Sequence, residues 1–218
     1  MTQWQPDAVI FDMDGLLVDS ETVWHIAETD LIASFGYEYT DEVRANIIGM
    51  RIDEFMVYLR DHYQLEPSVH DLSKMLVDDM LRLIPTEVKP QPGAKEVIDY
   101  VQERGWPLAI ASSSPVSIID ATVKAQGWTD VFKVRHSAEN EAFGKPAPDV
   151  YLTAARSLGV DPANCLALED SPNGARAAVK AGMVCYAVPD VSHSAKSAFK
   201  DITPHVFDSL YDVLDALR

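Results

Sequence analysis

The sequence predicts an α/β protein, a doubly wound parallel sheet of the Rossmann-like kind with a small inserted α-helical domain, and three observations predict it. Short apolar runs repeatedly end in chemistry-bearing residues: Ala8-Val9-Ile10-Phe11 before Asp12, Leu108-Ala109-Ile110-Ala111 before Ser112, and Cys165-Leu166-Ala167-Leu168 before Glu169. Such runs read as buried parallel strands whose carboxyl ends open into loops, the usual ligand position in open α/β sheets. From about Gln91 onward strand-like and helix-like stretches alternate, with further strand signals near Val131 to Val134 and Met183 to Val188. Residues 20–85 instead carry helical periodicity and no convincing strand, with Val23, Ile26, Ala27, Asp30, Leu31 and Ser34 on one winding. The expected organisation is a core of residues 1–19 plus 86–218 and a helical domain of residues 20–85. The return path, Pro85-Thr86-Glu87-Val88-Lys89-Pro90-Gln91-Pro92-Gly93, is rich in proline and suits a hinge.

Taken in chain order, the first strand, residues 8–12, runs into Asp12-Met13-Asp14-Gly15. An ionised carboxylate can attack phosphorus or carbon and form a covalent intermediate, the role that Asp12 fits. A second acid two positions on can give a proton to a departing alkoxide and take one from water, the role that Asp14 fits. On its own Asp-x-Asp-Gly equally describes a turn. The second strand leads into Ser112-Ser113-Ser114-Pro115, where hydroxyls and backbone N–H groups at a helix start suit an oxyanion such as phosphate, or serve as an ordinary helix cap. In Gly144-Lys145-Pro146-Ala147-Pro148-Asp149 prolines stiffen the backbone that presents a single lysine, fit to neutralise phosphate oxygens although most lysines are only solvated. The last of these strands ends at Glu169-Asp170-Ser171, before the helical pattern Gly174 to Gly182. Asp170 alone could cap that helix. Two acid pairs at strand ends nevertheless repel unless a cation lies between them, and Mg²⁺ prefers one or two carboxylates with waters and phosphate oxygens.

With all four segments in order, the chain resembles the haloacid dehalogenase superfamily of phosphotransferases over nearly its whole length, through Asp12-x-Asp14, Ser112, Lys145 and Glu169-Asp170. The resemblance implies that Asp12 is the phosphoryl-accepting nucleophile and Asp14 the general acid/base. It implies that Ser112 and the Ser113 amide bind the phosphoryl group, that Gly15 lies at the same substrate, and that Lys145 holds nucleophile and phosphate together. Mg²⁺ is expected on the Asp12 side chain, the Asp14 backbone carbonyl and Asp170, with Glu169 bound directly or through water. In the family the inserted helices form a lid of the first cap type, which excludes water and carries specificity. Dehalogenases lack an acid at the Asp14 position and the ion-pumping ATPases generally carry Thr there, so Asp14 points to phosphate esters or mutase chemistry.

A narrower likeness comes from Asp12 to Glu21, Trp24 and the segment Gly49-Met50-Arg51-Ile52-Asp53, which resemble bacterial hexose phosphate phosphatases of the 2-deoxyglucose-6-phosphate type. It implies Mg²⁺-dependent hydrolysis of small sugar phosphates, with Glu21 and Arg51 reaching sugar hydroxyls or phosphate. Both residues also have plain readings, a helix-start charge for Glu21 and a surface salt bridge for Arg51. The β-phosphoglucomutase group shares the fold and motifs but places a histidine where this chain has Trp24, with His25 next door, which favours hydrolysis here. An inactive binding protein of the same fold should have lost a motif, whereas Asp12, Asp14, Lys145 and Asp170 are all present. Gly144 stands where serine is frequent in relatives, a departure that bears on fine specificity.

Composition sets the outer bounds. The 218 residues, 47% hydrophobic and 24% charged, supply enough chain for a sizeable core and a second small domain. A formal charge of −16, from 34 acids against 18 bases, argues against nucleic acid or an anionic membrane as partner. No transmembrane run or secretory signal stands out at Met1-Thr2-Gln3-Trp4, so a cytoplasmic protein is expected, and without an unexplained apolar stripe that demands a partner, a monomer. Cys165 and Cys185 lie in apolar runs and read as reduced core residues, and Met50, Met56, Met75 and Met80 as core filler. The six histidines show no metal-ligand spacing. Phosphate monoester hydrolysis needs up to ~10²¹ of acceleration, of which general acid catalysis supplies only ~10²–10⁴. Charge stabilisation must supply most of the rest, so loss of Lys145 or Asp170 is expected to be severe.

Overall fold

The structure, a computed structural model, describes residues 4–47, 50–190 and 195–218. Met1 to Gln3, Gly49 of the segment Gly49 to Asp53, and His193 lie outside the described residues. Five parallel strands form the central sheet: β1 (Ala8–Phe11) in the middle, β4 (Leu108–Ser112) and β5 (Val134–Ser137) on one side, and β6 (Cys165–Glu169) and β7 (Val184–Ala187) on the other, in the order β5-β4-β1-β6-β7. Consecutive residues of β1 serve opposite faces. Val9 and Phe11 join one apolar cluster with α5 (Ala94–Glu103), α6 (Val116–Ala125) and α9 (Leu210–Leu217), while Ala8 and Ile10 join a second with α7 (Asp149–Leu158) and α8 (Pro172–Lys180). Burial on both faces is why β1 reads as an unbroken apolar run.

The remaining helices lie between two short strands, β2 (Val18–Asp19) and β3 (Lys89–Pro90), which pair antiparallel where the chain leaves and rejoins the sheet region. They are α1 (Glu21–Ser34), α2 (Asp41–Arg44), α3 (Ile52–Tyr63) and α4 (Val69–Glu87). The fourth packs against α1 and α3 and, from the sheet side, against α6. It runs through Pro85 to Glu87, so part of the expected connector is helical. A proline near a helix end removes one bond of the ladder, and the buried Ile84 and Val88 hold the last turn in place.

Several sequence expectations shift. The strand sought near Val131 to Val134 occupies Val134–Ser137, because Phe132 turns into the core and meets Phe11 edge to face at 5.6 Å before pairing with β4 begins. The buried face of α1 comprises Val23, Trp24, Ala27, Glu28, Leu31 and Ile32, whereas Ile26, Asp30 and Ser34 face outward. That face is rotated because α1 is covered on one side by α4 and on the other borders the cavity described below. Met56 and Met80 are fully buried, but Met75 is exposed and Met50 borders the same cavity. Cys165 and Cys185 are buried free thiols. No described helix is long and apolar enough to cross a membrane.

Candidate active site

The end of β1 delivers Asp12, whose backbone N–H donates to the Leu168 carbonyl at 2.9 Å and so ties two strand ends together. Its buried carboxylate accepts from Lys145 Nζ at 2.7 Å. The same ammonium donates to Glu169 Oε1 at 2.6 Å and lies 5.1 Å from the centre of the Tyr151 ring. Burial pushes the Asp12 carboxyl up to about 7, with Lys145 pulling it down and Glu169 and Asp14 adding to the rise. Burial opposes the charge on Lys145 as well, but Asp12 and Glu169 together hold its pKa above the ordinary lysine value.

Glu169 is held on every side. Its Oε1 also accepts from the Tyr151 hydroxyl at 2.8 Å, and its Oε2 accepts from the backbone N–H groups of Asp170 and Ser171 and from the Ser171 hydroxyl, each at 3.1 Å. The start of α8 makes room for it through Gly174, where a Cβ would lie 1.6 Å from Glu169 Oε1. Asp170 is the opposite case. Among the described residues its buried Oδ1 has no hydrogen-bond partner, and burial, reinforced by Asp12 and Glu169, pushes its pKa well above the carboxylate range. Carboxylate oxygens of Asp12, Glu169 and Asp170 lie within 4.8 Å of one another. An orphaned acid oxygen amid repelling carboxylates fits a bound divalent cation, so the residues present fit Mg²⁺.

Asp14 is fixed by four donors. Oδ1 accepts from the Ser20 hydroxyl at 2.6 Å and the Trp24 indole N–H at 3.3 Å, and Oδ2 accepts from the Ser114 hydroxyl at 2.7 Å and the Ser112 hydroxyl at 3.2 Å. Ser112 Oγ in turn accepts from the Ser114 N–H at 3.0 Å. The start of α6 is less open than the sequence suggests, because Glu139 accepts from the Val116 N–H at 2.8 Å.

These groups face the helical layer across an open cavity. Asp12, Asp14, Ser112, Ser113, Lys145 and Asp170 line it from the strand ends, and Glu21, Trp24, Glu28, Arg44, Ile47, Met50, Ile52 and Phe55 from the helices. Glu21 is paired with Arg44 at 3.1 Å. Gly15 and Arg51, both expected at the substrate, are not among the residues that line this cavity. Gly15 donates to the Val18 carbonyl and accepts from Gln91, and it lets Asp170 pack closely, since a Cβ there would lie 2.3 Å from Asp170 Oδ2. Arg51 does not border the cavity; it pairs with Asp53 and donates to the carbonyls of Ala138 at 3.2 Å and Glu141 at 3.1 Å, in the loop that leads to Lys145.

Sequence reading missed Ser114 and Tyr151 as supports, and it missed the hydrogen bonds that Ser20 and Trp24 make to Asp14. The four-residue spacing of Ser20 and Trp24 on one helix face carried a usable signal. Tyr151 carried none, because only the packing of α7 on the sheet brings it to Glu169.

Residues 6–182 match the haloacid dehalogenase-like hydrolase family. Hexitol phosphatase B of Escherichia coli strain K12 is 37% identical over 186 residues, 84% of this chain and 83% of that protein. A probable pseudouridine-5'-phosphatase of Drosophila melanogaster is 32% identical over 187 residues, 83% of this chain and 80% of that one. The CbbY protein of Rhodobacter sphaeroides, solved in complex with phosphate, superimposes with a TM-score of 0.87 at 26% identity, covering 98% of this chain and 99% of that one.

Proposed function

The chain belongs to the haloacid dehalogenase-like hydrolases and is a phosphatase, and from that premise we propose that it hydrolyses monoesters of small sugars, hexose or 2-deoxyhexose phosphates, through a phosphoryl group carried on Asp12. The observation that carries the reading is the placing of two carboxylates with different surroundings on one cavity. Asp12 is bound to an ammonium, and Asp14 is held by hydroxyl and indole donors. The Asp12 oxygen not held by Lys145 attacks phosphorus, and the ester oxygen leaves on the opposite side with a proton from Asp14. Asp14 then takes a proton from the water that releases phosphate from Asp12. Ser112 and Ser113 bind the phosphoryl oxygens, and Lys145 keeps Asp12 in place while balancing charge as it builds.

Asp12, Asp170 and the Asp14 backbone carbonyl would hold Mg²⁺, with Glu169, whose oxygens are engaged by other donors, supporting Lys145 and Asp170 from behind. When bound, Mg²⁺ supplies positive charge for the phosphoryl oxygens and relieves the repulsion among the acids. The helices α1 to α4 act as a lid over the cavity. The buried thiols of Cys165 and Cys185 accord with a reducing compartment such as the cytoplasm.

Transfer of the phosphoryl group to a second sugar position, as in a mutase, is the alternative chemistry. Trp24, bound to Asp14, supports release to water over transfer. A panel of hexose, pentose and deoxyhexose phosphates tests the proposal. Free phosphate that depends on Mg²⁺ is the expected result. Isomerisation of a sugar 1-phosphate with little phosphate released would overturn hydrolysis, and no reaction on any sugar ester would overturn the substrate class.

A further inference from the structure

The roof of the cavity holds a carboxylate that the chemistry above does not use. Glu28, on the buried face of α1, is only 6% exposed and borders the cavity one turn beyond Trp24. Its Oε2 accepts from the Tyr39 hydroxyl at 2.8 Å. Tyr39 does not line the cavity, so this contact holds Glu28 from behind, and among the described residues Oε1 accepts no hydrogen bond. An acceptor of a largely buried side chain that opens on a binding cavity is placed to take a donor from the ligand.

The cations nearby are already engaged. Arg44 donates to the Glu21 carboxylate at 3.1 Å and to the Glu21 carbonyl at 3.2 Å, and Lys145 serves Asp12 and Glu169. Arg51 lies outside the lining. Once Glu21 and Arg44 offset one another, Glu28 is the remaining charged group of the roof, set among Ile47, Met50, Ile52 and Phe55. A second phosphate or a carboxylate on the substrate would meet this acid with no unengaged cation to balance it among the described residues of the lining, whereas hydroxyl groups would find an acceptor and their carbon chain an apolar wall.

We propose that Glu28 is a specificity-determining residue that accepts hydrogen bonds from hydroxyls at the end of the substrate remote from phosphate, and that it selects neutral polyol or sugar monophosphates against substrates with a second anionic group. This rests on the phosphatase reading of the same cavity. The test compares kcat/KM at about pH 8.5, where Glu28 is ionised, for a hexitol monophosphate, the corresponding bisphosphate and phenyl phosphate in wild type, Glu28→Leu and Glu28→Gln. Loss of a hydrogen bond to a charged acceptor is worth roughly 10–100-fold, so Glu28→Leu should lower the hexitol-to-phenyl preference by at least about tenfold, mainly through KM. Glu28→Gln should raise the bisphosphate relative to the monophosphate. Equal losses on hexitol and phenyl esters in both variants would make Glu28 a purely structural residue and overturn the proposal, as would unchanged preferences. If wild type hydrolysed none of the esters, the phosphatase reading itself would fail. Calorimetric affinity for hexitol monophosphate over inorganic phosphate would then decide on Glu28 separately, a preference lost in Glu28→Leu supporting the assignment and a retained one refuting it.

Discussion

At the scale of single residues, position within the same cavity gives chemically identical groups different properties. Asp12 and Asp170 are buried acids that repel each other, Glu169 is buried but satisfied by five donors, and Glu28 has one donor in an apolar wall. Burial raises the Glu28 carboxyl from its ordinary 4.5 to about 7, with Tyr39 and Arg44 pulling it down and Glu21 pushing it up. Between those values the folded state binds more protons than the unfolded state, so the stability cost of Glu28 grows as pH rises and is complete above about pH 7. We expect Glu28→Gln to gain stability over wild type between about pH 5 and about pH 8, by up to about 3 kcal/mol in denaturant titrations. A difference between the two proteins that stays flat across that range would contradict the buried, under-satisfied setting. None of this was legible in the sequence, where Glu28 is one acid among 34. Asp12, Asp14, Lys145 and Asp170 were legible because each follows a recognisable strand end or stiffened loop, and that signal is local.

At the scale of elements, the helical layer meets the sheet region at a defined contact. Arg51, just before α3, donates to two carbonyls in the loop between β5 and α7, and that loop also carries Lys145. Gly144 makes the approach possible, since a Cβ there would lie 2.7 Å from Arg51 Cδ. The glycine before the lysine, where the resemblance led to the expectation of serine, thus has a physical reason that the sequence alone could not supply. We propose on these contacts that Arg51 acts through the loop that carries Lys145 rather than on one substrate group. We expect Arg51→Ala to lower kcat/KM about tenfold for a sugar phosphate and for an aryl phosphate alike, as loss of two hydrogen bonds worth about 1–2 kcal/mol together would do. A loss confined to the sugar phosphate would instead put Arg51 at the substrate. The same reasoning explains why the order of strands and helices was readable while the buried face of α1 was not. The sheet buries both faces of its inner strands, so each shows locally as an unbroken apolar run, whereas α1 divides its buried side between α4 and a cavity that only the assembled molecule contains.

At the scale of the whole molecule, a protein of net charge −16 brings carboxylates of Asp12, Glu169 and Asp170 within 4.8 Å of one another, so cation binding and stability should be linked. Magnesium at a hundredfold above its Kd would stabilise by about 2.7 kcal/mol, roughly a 5–10 °C rise in the thermal midpoint for a chain of this size. We expect Asp170→Asn to unfold at a higher temperature than wild type without metal, because one repelling charge is gone, and to lose most of the Mg²⁺ response. A full Mg²⁺ response in that variant would remove Asp170 from the metal site. The reading as a whole rests on the phosphoryl group passing through Asp12. Rapid quenching of the enzyme during turnover of a sugar phosphate, followed by peptide mapping, tests it most directly. We expect phosphate on the peptide containing Asp12 in wild type and neither phosphopeptide nor turnover in Asp12→Asn. Turnover near the wild-type rate in Asp12→Asn, with conversion back to aspartate excluded, or phosphate on a different residue, would contradict it.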